Sequence, residues 1–408
     1  MNLPLNILGE DPPGTDSPCR FDPPTISMLI APMPGPDAPE MDAVLQAISN
    51  YTGLELGVRV APEEGTEAAW ACHVEVDGLP YPVAIWCDQS EDVQEATQDI
   101  TGVECPWLLG IESILSPDDP LTNYINLVRL IAGSMPDIPV LHDSGSGHWL
   151  ERGRIELDFM HEDLEPPEDI LWRIEVHDRG EGAYDVMTAG LARCGRAELA
   201  MYEVPEALRT AAVECISDLA SLSLELAFPD SSGTLEIGPD LVVRFDPREP
   251  DEEDDPLIAV VIDDDTEAGL EHPAHVLDAI GRGDLAVYRT LRRTRQTTLR
   301  AQATWSIFLE ACSAAIASKH EIDCLVQVPF EQVDAEDERR EHLWLQVIEV
   351  KDTSVEARLV HEPRMVSGID VGWTTTVEAE EVSNWLLRTP DGLVGPEDVD
   401  IEQAAGEA

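Results

Sequence analysis

Apolar residues recur along this chain with two periods, and the period switches at definite places. Thr25 to Ala31 is a short apolar run and predicts a strand. From Ala38 to Tyr51 the apolar positions are Met41, Val44, Leu45 and Ile48, the three-and-four spacing of an amphipathic helix. Leu54 to Val60 alternates and predicts a strand. Two more strands flank Asp77-Gly78-Leu79-Pro80, a turn sequence. With the turn centred there, Cys72, Val74 and Val76 pair with Cys87, Ile85 and Val83, and all six side chains share one face. That face is wholly apolar, so it predicts core.

Further along, Asn123 to Ala132 predicts a helix and Ile138 to Leu141 a strand, followed by a turn over Asp143-Ser144-Gly145-Ser146-Gly147. Ile170 to Val176 predicts a strand, Val204 to Leu226 a long helix, and Leu257 to Ile262 a buried-type strand. A helix bearing arginines runs to about Ser318, with Leu291, Leu299, Ile307, Phe308 and Ala311 among its apolar positions. Leu343, Leu345 and Val347 alternate with Trp344, Gln346 and Ile348; Val355 to Val360 and Gly372 to Val377 predict two further strands, and Glu380 to Leu387 a short helix carrying Trp385 and Leu386. The expected class is α+β: several domains, mixed or antiparallel sheets with packed helices, and a small α+β domain at the C-terminus.

Punctuation suggests where those domains end. Residues 1–40 hold ten prolines, and 1–24 read as a mobile Pro-rich tail. Residues 25–228 form an N-terminal α+β region, with a possible division into two subdomains near 150. Residues 246–271 contain twelve acids and one base, Arg248, so 229–285 reads as an acidic connecting segment with a short strand. Residues 286–390 form the C-terminal domain and 391–408 an acidic tail.

At 408 residues and 43% hydrophobic content the chain can build real cores, enough for two to four domains of roughly 100–200 residues. Its charge changes the picture more. There are 82 acidic and 25 basic residues, a net charge of −57, and only Lys319 and Lys351 are lysines. Such a surface repels nucleic acid and anionic membranes and suits basic proteins or cations. Eight cysteines without CxxC spacing are not a disulfide scaffold in a chain of this length. The first ten residues lack the basic start of a secretory signal, and the longest aliphatic run is far below the ~18 residues of a membrane helix. The expected compartment is the cytoplasm, with thiols reduced.

Few groupings of side chains suggest chemistry. Val140-Leu141-His142-Asp143-Ser144-Gly145-Ser146 resembles the catalytic turn of aspartic proteases, which needs two carboxylates sharing one proton; the chain has no second Asp-Thr/Ser-Gly turn. The same turn offers His142, Asp143 and His148 as ligands for zinc or iron, without a fourth ligand or HExxH spacing. Cys72, His73 and Cys87 cannot converge on a metal, because strand alternation sends His73 to the face opposite both cysteines. His272-Pro273-Ala274-His275 reads as an exposed turn, and Asp263 to Glu267 as a solvated acidic loop that fails the EF-hand order. Arg289, Arg292 and Arg293 could bind an anion or acidic peptide, although pairing with the protein's own carboxylates is the simpler expectation. Trp373 joins them as a candidate binding surface. Glycine-rich phosphate loops and the GxSxG elbow are absent, and no cofactor is expected.

Two stretches resemble known families. Cys324 to Phe330 (CLVQVPF), Glu341-His342-Leu343-Trp344-Leu345-Gln346-Val347, the turn at Pro363, Gly368 to Gly372 and the closing Trp385 resemble the bacterial domain family containing the small YegJ-type proteins, over about residues 286–390. The chain departs from that pattern at His361-Glu362, Trp373 and Asn384. Residues 25–228 loosely resemble a second uncharacterised family often fused to it, through the run Gly190 to Leu199 (GLARCGRAEL), Leu171-Trp172 and the Asp143-to-Trp149 turn. These resemblances imply architecture and leave mechanism open. The functional expectation is a non-enzymatic protein-binding module whose acidic surface engages a basic partner, in an immunity or regulatory role. The alternative is a hydrolase or metal-dependent enzyme using the turn Asp143–Trp149. Self-repulsion of the acidic surface predicts that added salt raises the melting temperature at neutral pH. Calorimetry from low to moderate salt checks this, and a flat response would mean the charges are too dispersed to matter.

Overall fold

The structure, a computed structural model, describes residues 24–60, 68–160, 166–225, 234–238, 241–248, 256–263, 270–281, 291–318, 322–331, 340–363, 366–389 and 392–396. All but Pro24 of the expected tail over 1–24, all but Asp263 of the acidic loop Asp263 to Glu267, Arg289 and the chain beyond 396 lie outside the described residues. The fold is α+β and multidomain, with three largely antiparallel sheets. It divides into two compact units: one from the described residues of Met1–His161 and Pro166–Thr290, the other from those of Leu291–Ala408.

The first unit begins with β1 (Ile26–Met33), α1 (Met41–Thr52), β2 (Gly57–Val60), β3 (Trp70–Glu75), β4 (Val83–Asp88), α2 (Glu91–Thr101), β5 (Trp107–Ile114), α3 (Pro120–Ser134), β6 (Val140–Asp143), β7 (Trp149–Glu151) and α4 (Arg152–Asp158). Its seven strands lie in the order β2-β3-β4-β5-β1-β6-β7, all neighbours antiparallel. The apolar stripe of α1 buries Val44 and Ile48, and α1 packs on α3. Helix α3 is apolar nearly all round and is correspondingly buried. Asp119 caps it by accepting the Thr122 N–H, with Pro120 at the first helical position. The β3–β4 hairpin corrects the expected register by two residues. Cys72 pairs with Ile85 and Val74 with Val83, while Cys87 faces Trp70. A slip of two preserves the face, so the apolar side remains core, and His73 still points away from it.

The same unit continues with β8 (Arg173–Gly180), β9 (Ala183–Ala189), β10 (Glu198–Pro205), α5 (Arg209–Glu225), β11 (Thr234–Gly238), β12 (Leu241–Arg248), β13 (Ile258–Asp263) and α6 (Ala274–Gly281). The order is β11-β12-β13-β10-β9-β8, and β10 with β13 is a parallel pair. Two expectations change here. Within 229–285, expected as a connector with a short strand, the described residues supply three strands of a sheet, β11, β12 and β13, and Val243, Phe245, Ala259 and Val261 bury one face of β12 and β13. The long helix starts at Arg209 rather than Val204, since β10 carries the chain through Pro205.

The second unit holds α7 (Leu291–Ala303), α8 (Trp305–Ser318), β14 (Asp323–Glu331), β15 (Arg340–Val350), β16 (Ser354–Leu359), β17 (Thr374–Glu378), β18 (Asn384–Thr389) and β19 (Gly392–Val394). Its antiparallel order is β17-β16-β15-β14-β18-β19. Alternate residues Cys324, Val326, Val328, Leu343, Leu345, Ala357 and Leu359 bury one face together with Phe308 and Cys312 of α8. The expected single arginine-bearing helix is broken at Thr304. The Thr304 hydroxyl donates to the Arg300 carbonyl and accepts the indole N–H of Trp385. The expected helix over 380–387 is a short turn (Ala379–Glu381) followed by strand β18. Trp385 then points inward, fully buried, against Phe308. Past Asp391 the chain adds β19 to the sheet before leaving the described residues. No helix among the described residues is long and apolar enough to cross a membrane.

Trp385→Ala should cost about 3–5 kcal/mol by opening a large cavity. Thr304→Val should cost about 1–3 kcal/mol by stranding the buried indole N–H. Chemical denaturation followed by tryptophan fluorescence measures both, and equal, negligible losses would show that this aromatic core is not well packed.

Candidate functional site

The five residues between β6 and β7 are Ser144-Gly145-Ser146-Gly147-His148. Asp143 closes the loop with both backbone groups: its N–H donates to the His148 carbonyl and its carbonyl accepts the Gly147 N–H. Gly147 takes φ +73°, where a side chain would be strained. The loop has a glycine at Gly145 for a second reason. A Cβ there would lie 2.8 Å from a guanidinium nitrogen of Arg193.

Arg193 sits in a short 3-10 segment (Leu191–Cys194) that leads into β10. Its guanidinium grips the Asp143 carboxylate with both forks, Nη1 to Oδ1 at 2.6 Å and Nη2 to Oδ2 at 2.7 Å. The remaining donors are also used. Nε and Nη2 donate to the Leu171 carbonyl, and Nη1 to the Ser27 hydroxyl. The cation lies over the Tyr124 ring at 5.0 Å. Asp143 receives further bonds from the Gly145 N–H, the Ser146 hydroxyl and the Tyr124 hydroxyl. Both ionic side chains are buried, at 0% and 1% exposure, so nothing solvates them but one another and these partners.

That saturation decides what Asp143 can do. Burial alone would push its pKa upward, but the Arg193 charge and the bonds from Arg193, Ser146 and Tyr124 outweigh it and hold the carboxyl below its ordinary value. In Arg193 burial works to lower the pKa, and Asp143 overcomes it. Proton sharing between carboxylates of the protease kind has no place here, because the partner of Asp143 is a guanidinium with its donors engaged.

The other expected ligands are not gathered around it. His142 stacks on Trp149 with ring centroids 4.3 Å apart, and its buried Nδ1 has no hydrogen-bond partner among the described residues. Burial lowers its pKa, against an upward pull from Asp143. His148 instead continues a chain from Asp143. The Ser146 proton goes to the carboxylate, so Ser146 Oγ is an acceptor for His148 Nδ1 at 3.0 Å, and the Ile170 carbonyl is a second acceptor at 3.3 Å. Two acceptors on one nitrogen fix the proton on Nδ1 and leave Nε2 as the second ring nitrogen. Among the described residues no three His, Cys, Asp or Glu side chains are placed to hold a metal ion.

The remaining candidates are distributed elsewhere. Cys72 and Cys87 are buried thiols whose pKa values burial raises to about 11. His272 is buried rather than in an exposed turn, with Nδ1 against the Tyr202 carbonyl, while the His275 backbone N–H reaches Asp263. Arg292 is half-buried and has partners. Trp373 is half-buried, packed edge-on against Phe330 at the margin of the second unit's core.

Sequence reasoning missed Arg193 as a site residue, along with Tyr124 and Ser27. The signal was an arginine set in the otherwise apolar run Gly190-Leu191-Ala192-Arg193-Cys194. A buried Glu198 organises this run, accepting the Gly190 and Ala192 N–H groups and the Thr188 hydroxyl. Gly190 takes φ +122°, and a Cβ there would lie 2.6 Å from the Leu171 carbonyl oxygen, so the two backbones can approach closely only at a glycine.

Comparison with known proteins locates one relationship. Residues 292–401 match a family described as an uncharacterized protein conserved in bacteria (DUF2314). The C-terminal resemblance read from the sequence over 286–390 therefore has a counterpart, whereas the likeness of residues 25–228 to a second family is not shown. No curated protein and no solved structure matches the chain.

Arg193→Ala should destabilise the protein by about 3–5 kcal/mol, because it leaves Asp143 buried and unpaired. A double replacement, Asp143→Asn with Arg193→Met, should cost less than the sum of the single changes. The folded-state pKa of Asp143 lies below its unfolded value. Its contribution is thus present above the unfolded value and is lost as pH falls through the folded one. The cost of Asp143→Asn should be largest at neutral pH and shrink below about pH 4. Urea melts across that range check this, and a cost independent of pH would show that the pair is not ionic.

Proposed function

We propose that this protein is a non-enzymatic binding module whose acidic surface engages a basic protein partner, in an immunity or regulatory role in the cytoplasm. The observation that carries this reading is the excess of 82 acids over 25 bases. The stretch Asp88 to Glu104 illustrates it, with six acids and no base. Along α2 the side chains of Glu91, Asp92, Glu95 and Asp99 are exposed, and Thr97 is the buried residue of the helix. Such a face raises the encounter rate with a cation-rich surface and discriminates against acidic ones. The free, buried cysteines among the described residues suit a reducing compartment.

A second reading has one observation in its favour. In a hydrolase or metal-dependent enzyme working from the turn Asp143–Trp149, His148 would be the functional group, because Asp143 is already committed to Arg193. A stoichiometric transition metal in the purified protein, lost in His148→Ala, would decide for it.

The surface reading is tested by capture from lysate at low salt, followed by rebinding of the purified partner. The expected partner is basic, binds in a fixed ratio, and loses affinity as salt rises. Neutralising Glu91, Asp92, Glu95 and Asp99 together should weaken it by about tenfold or more. Repeated captures yielding nothing stoichiometric, or binding indifferent to salt, would count against the proposal.

A further inference from the structure

His148 is one wall of a cleft of about 270 Å³ in the first unit, lined also by Arg154, Asp169, Trp172, Arg173 and Ser217. In a chain so poor in bases, two arginines and a histidine around one recess against a single lining carboxylate is an unusual concentration of donors. Among the described residues both arginines have donors in reserve. Arg154 gives Nε to Asp158, and Arg173 gives Nε and Nη2 to Glu175, out of five N–H groups on each guanidinium. Arg173 is held in place by the turn itself, for a Cβ on Gly147 would lie 2.9 Å from its Nη1. A separate observation points the same way. Trp172 is 1% exposed, it lines this cleft, and its buried indole N–H has no acceptor among the described residues. A buried donor left unmatched is costly, and a ligand oxygen would satisfy it.

We propose that this cleft is a binding site for a small oxyanion, a phosphate or carboxylate group. The guanidinium donors of Arg154 and Arg173 and the indole N–H of Trp172 contact its oxygens. The Nε2 nitrogen of His148, whose Nδ1 proton is fixed through Ser146 and Ile170, accepts a hydrogen from a protonated oxygen of the same ligand. The size of the recess suits a small metabolite rather than a polymer. This site is independent of the acidic-surface reading, since it lies in a recess and takes a ligand of the opposite charge.

The test uses the full-length protein with 15N-labelled tryptophan. Inorganic phosphate, and in a separate series succinate, is titrated against sodium chloride at matched ionic strength. The nine tryptophans give nine indole signals, and Trp172 is identified through its backbone amide or by Trp172→Phe. The expected result is a saturable shift of the Trp172 signal, with an apparent Kd on the order of 1 mM, a weak but specific affinity. Response to one oxyanion alone assigns the ligand class, and response to both assigns a general oxyanion site. Arg154→Gln with Arg173→Gln, changes at half-exposed side chains, should weaken the response about tenfold while the other indole signals stay in place. A Trp172 signal unmoved by either oxyanion, or moving equally in the double variant, overturns the proposal.

Discussion

The Asp143–Arg193 pair is a constraint of an unforgiving kind. Two opposite charges removed from water lose several kcal/mol of solvation each, and their attraction repays this only when the geometry is good and every remaining donor is used. Here both conditions hold. The fork is bidentate, and Ser27, Leu171, Tyr124, Gly145 and Ser146 take up what is left. Because the partners come from the sheet of β1–β7 and from the segment entering β10, the satisfied arrangement exists at one relative placement of the two layers within the first unit. Any other placement strands a buried charge. The pair therefore fixes position more than it adds stability, and the loop glycines, the 3-10 segment and the Ser146–His148 chain all follow from making room for it.

A second set of polar contacts holds the other side of that clasp. Arg196, also buried, donates to the carbonyls of Ser223 at the end of α5, of Cys194 and Gly195 beside it, and of Pro117 ahead of α3. Glu198 is held in the same run by backbone N–H groups, and burial nevertheless raises its pKa. The C-terminal unit is built on a different principle. Its centre is apolar and aromatic, with Phe308 packed between Trp305 and Trp385, and a hydrogen bond from the Trp385 indole to Thr304 ties β18 to the break between α7 and α8. The first unit obtains a unique arrangement from matched charges, the second from shape.

The distribution of charge ties these features to the functional reading. With 25 bases for 82 acids, the chain places two of its arginines, Arg193 and Arg196, wholly inside. Others are bound locally, as in Arg152–Glu156, Arg179–Asp185 and Arg248–Glu271. Tyr202 is flanked by Arg179 and Arg248, each already paired with an acid. What is left for the surface is overwhelmingly carboxylate, the feature on which the proposed engagement of a basic partner rests. The cleft at His148 stands out against that background as a place where donors outnumber acceptors.

The sequence by itself determined which segments could be core and which period they followed. The apolar face of the β3–β4 hairpin, the stripe of α1, the strands at 324–330 and 343–347, and the α+β class are local consequences of side-chain alternation and helical spacing. Its errors share one cause. The hairpin register, the strand status of Trp385, the break at Thr304 and the incorporation of β11, β12 and β13 into a sheet all depend on partners far away in the chain, which local pattern does not encode. The turn at 143–149 was visible as a motif, yet its meaning was not. Whether Asp143 is a reactive acid or a buried anchor depends on Arg193, 50 residues later, and on Ser27, 116 residues earlier. Only tertiary structure brings those charges together, and only their removal from water converts a sequence that looks catalytic into a joint.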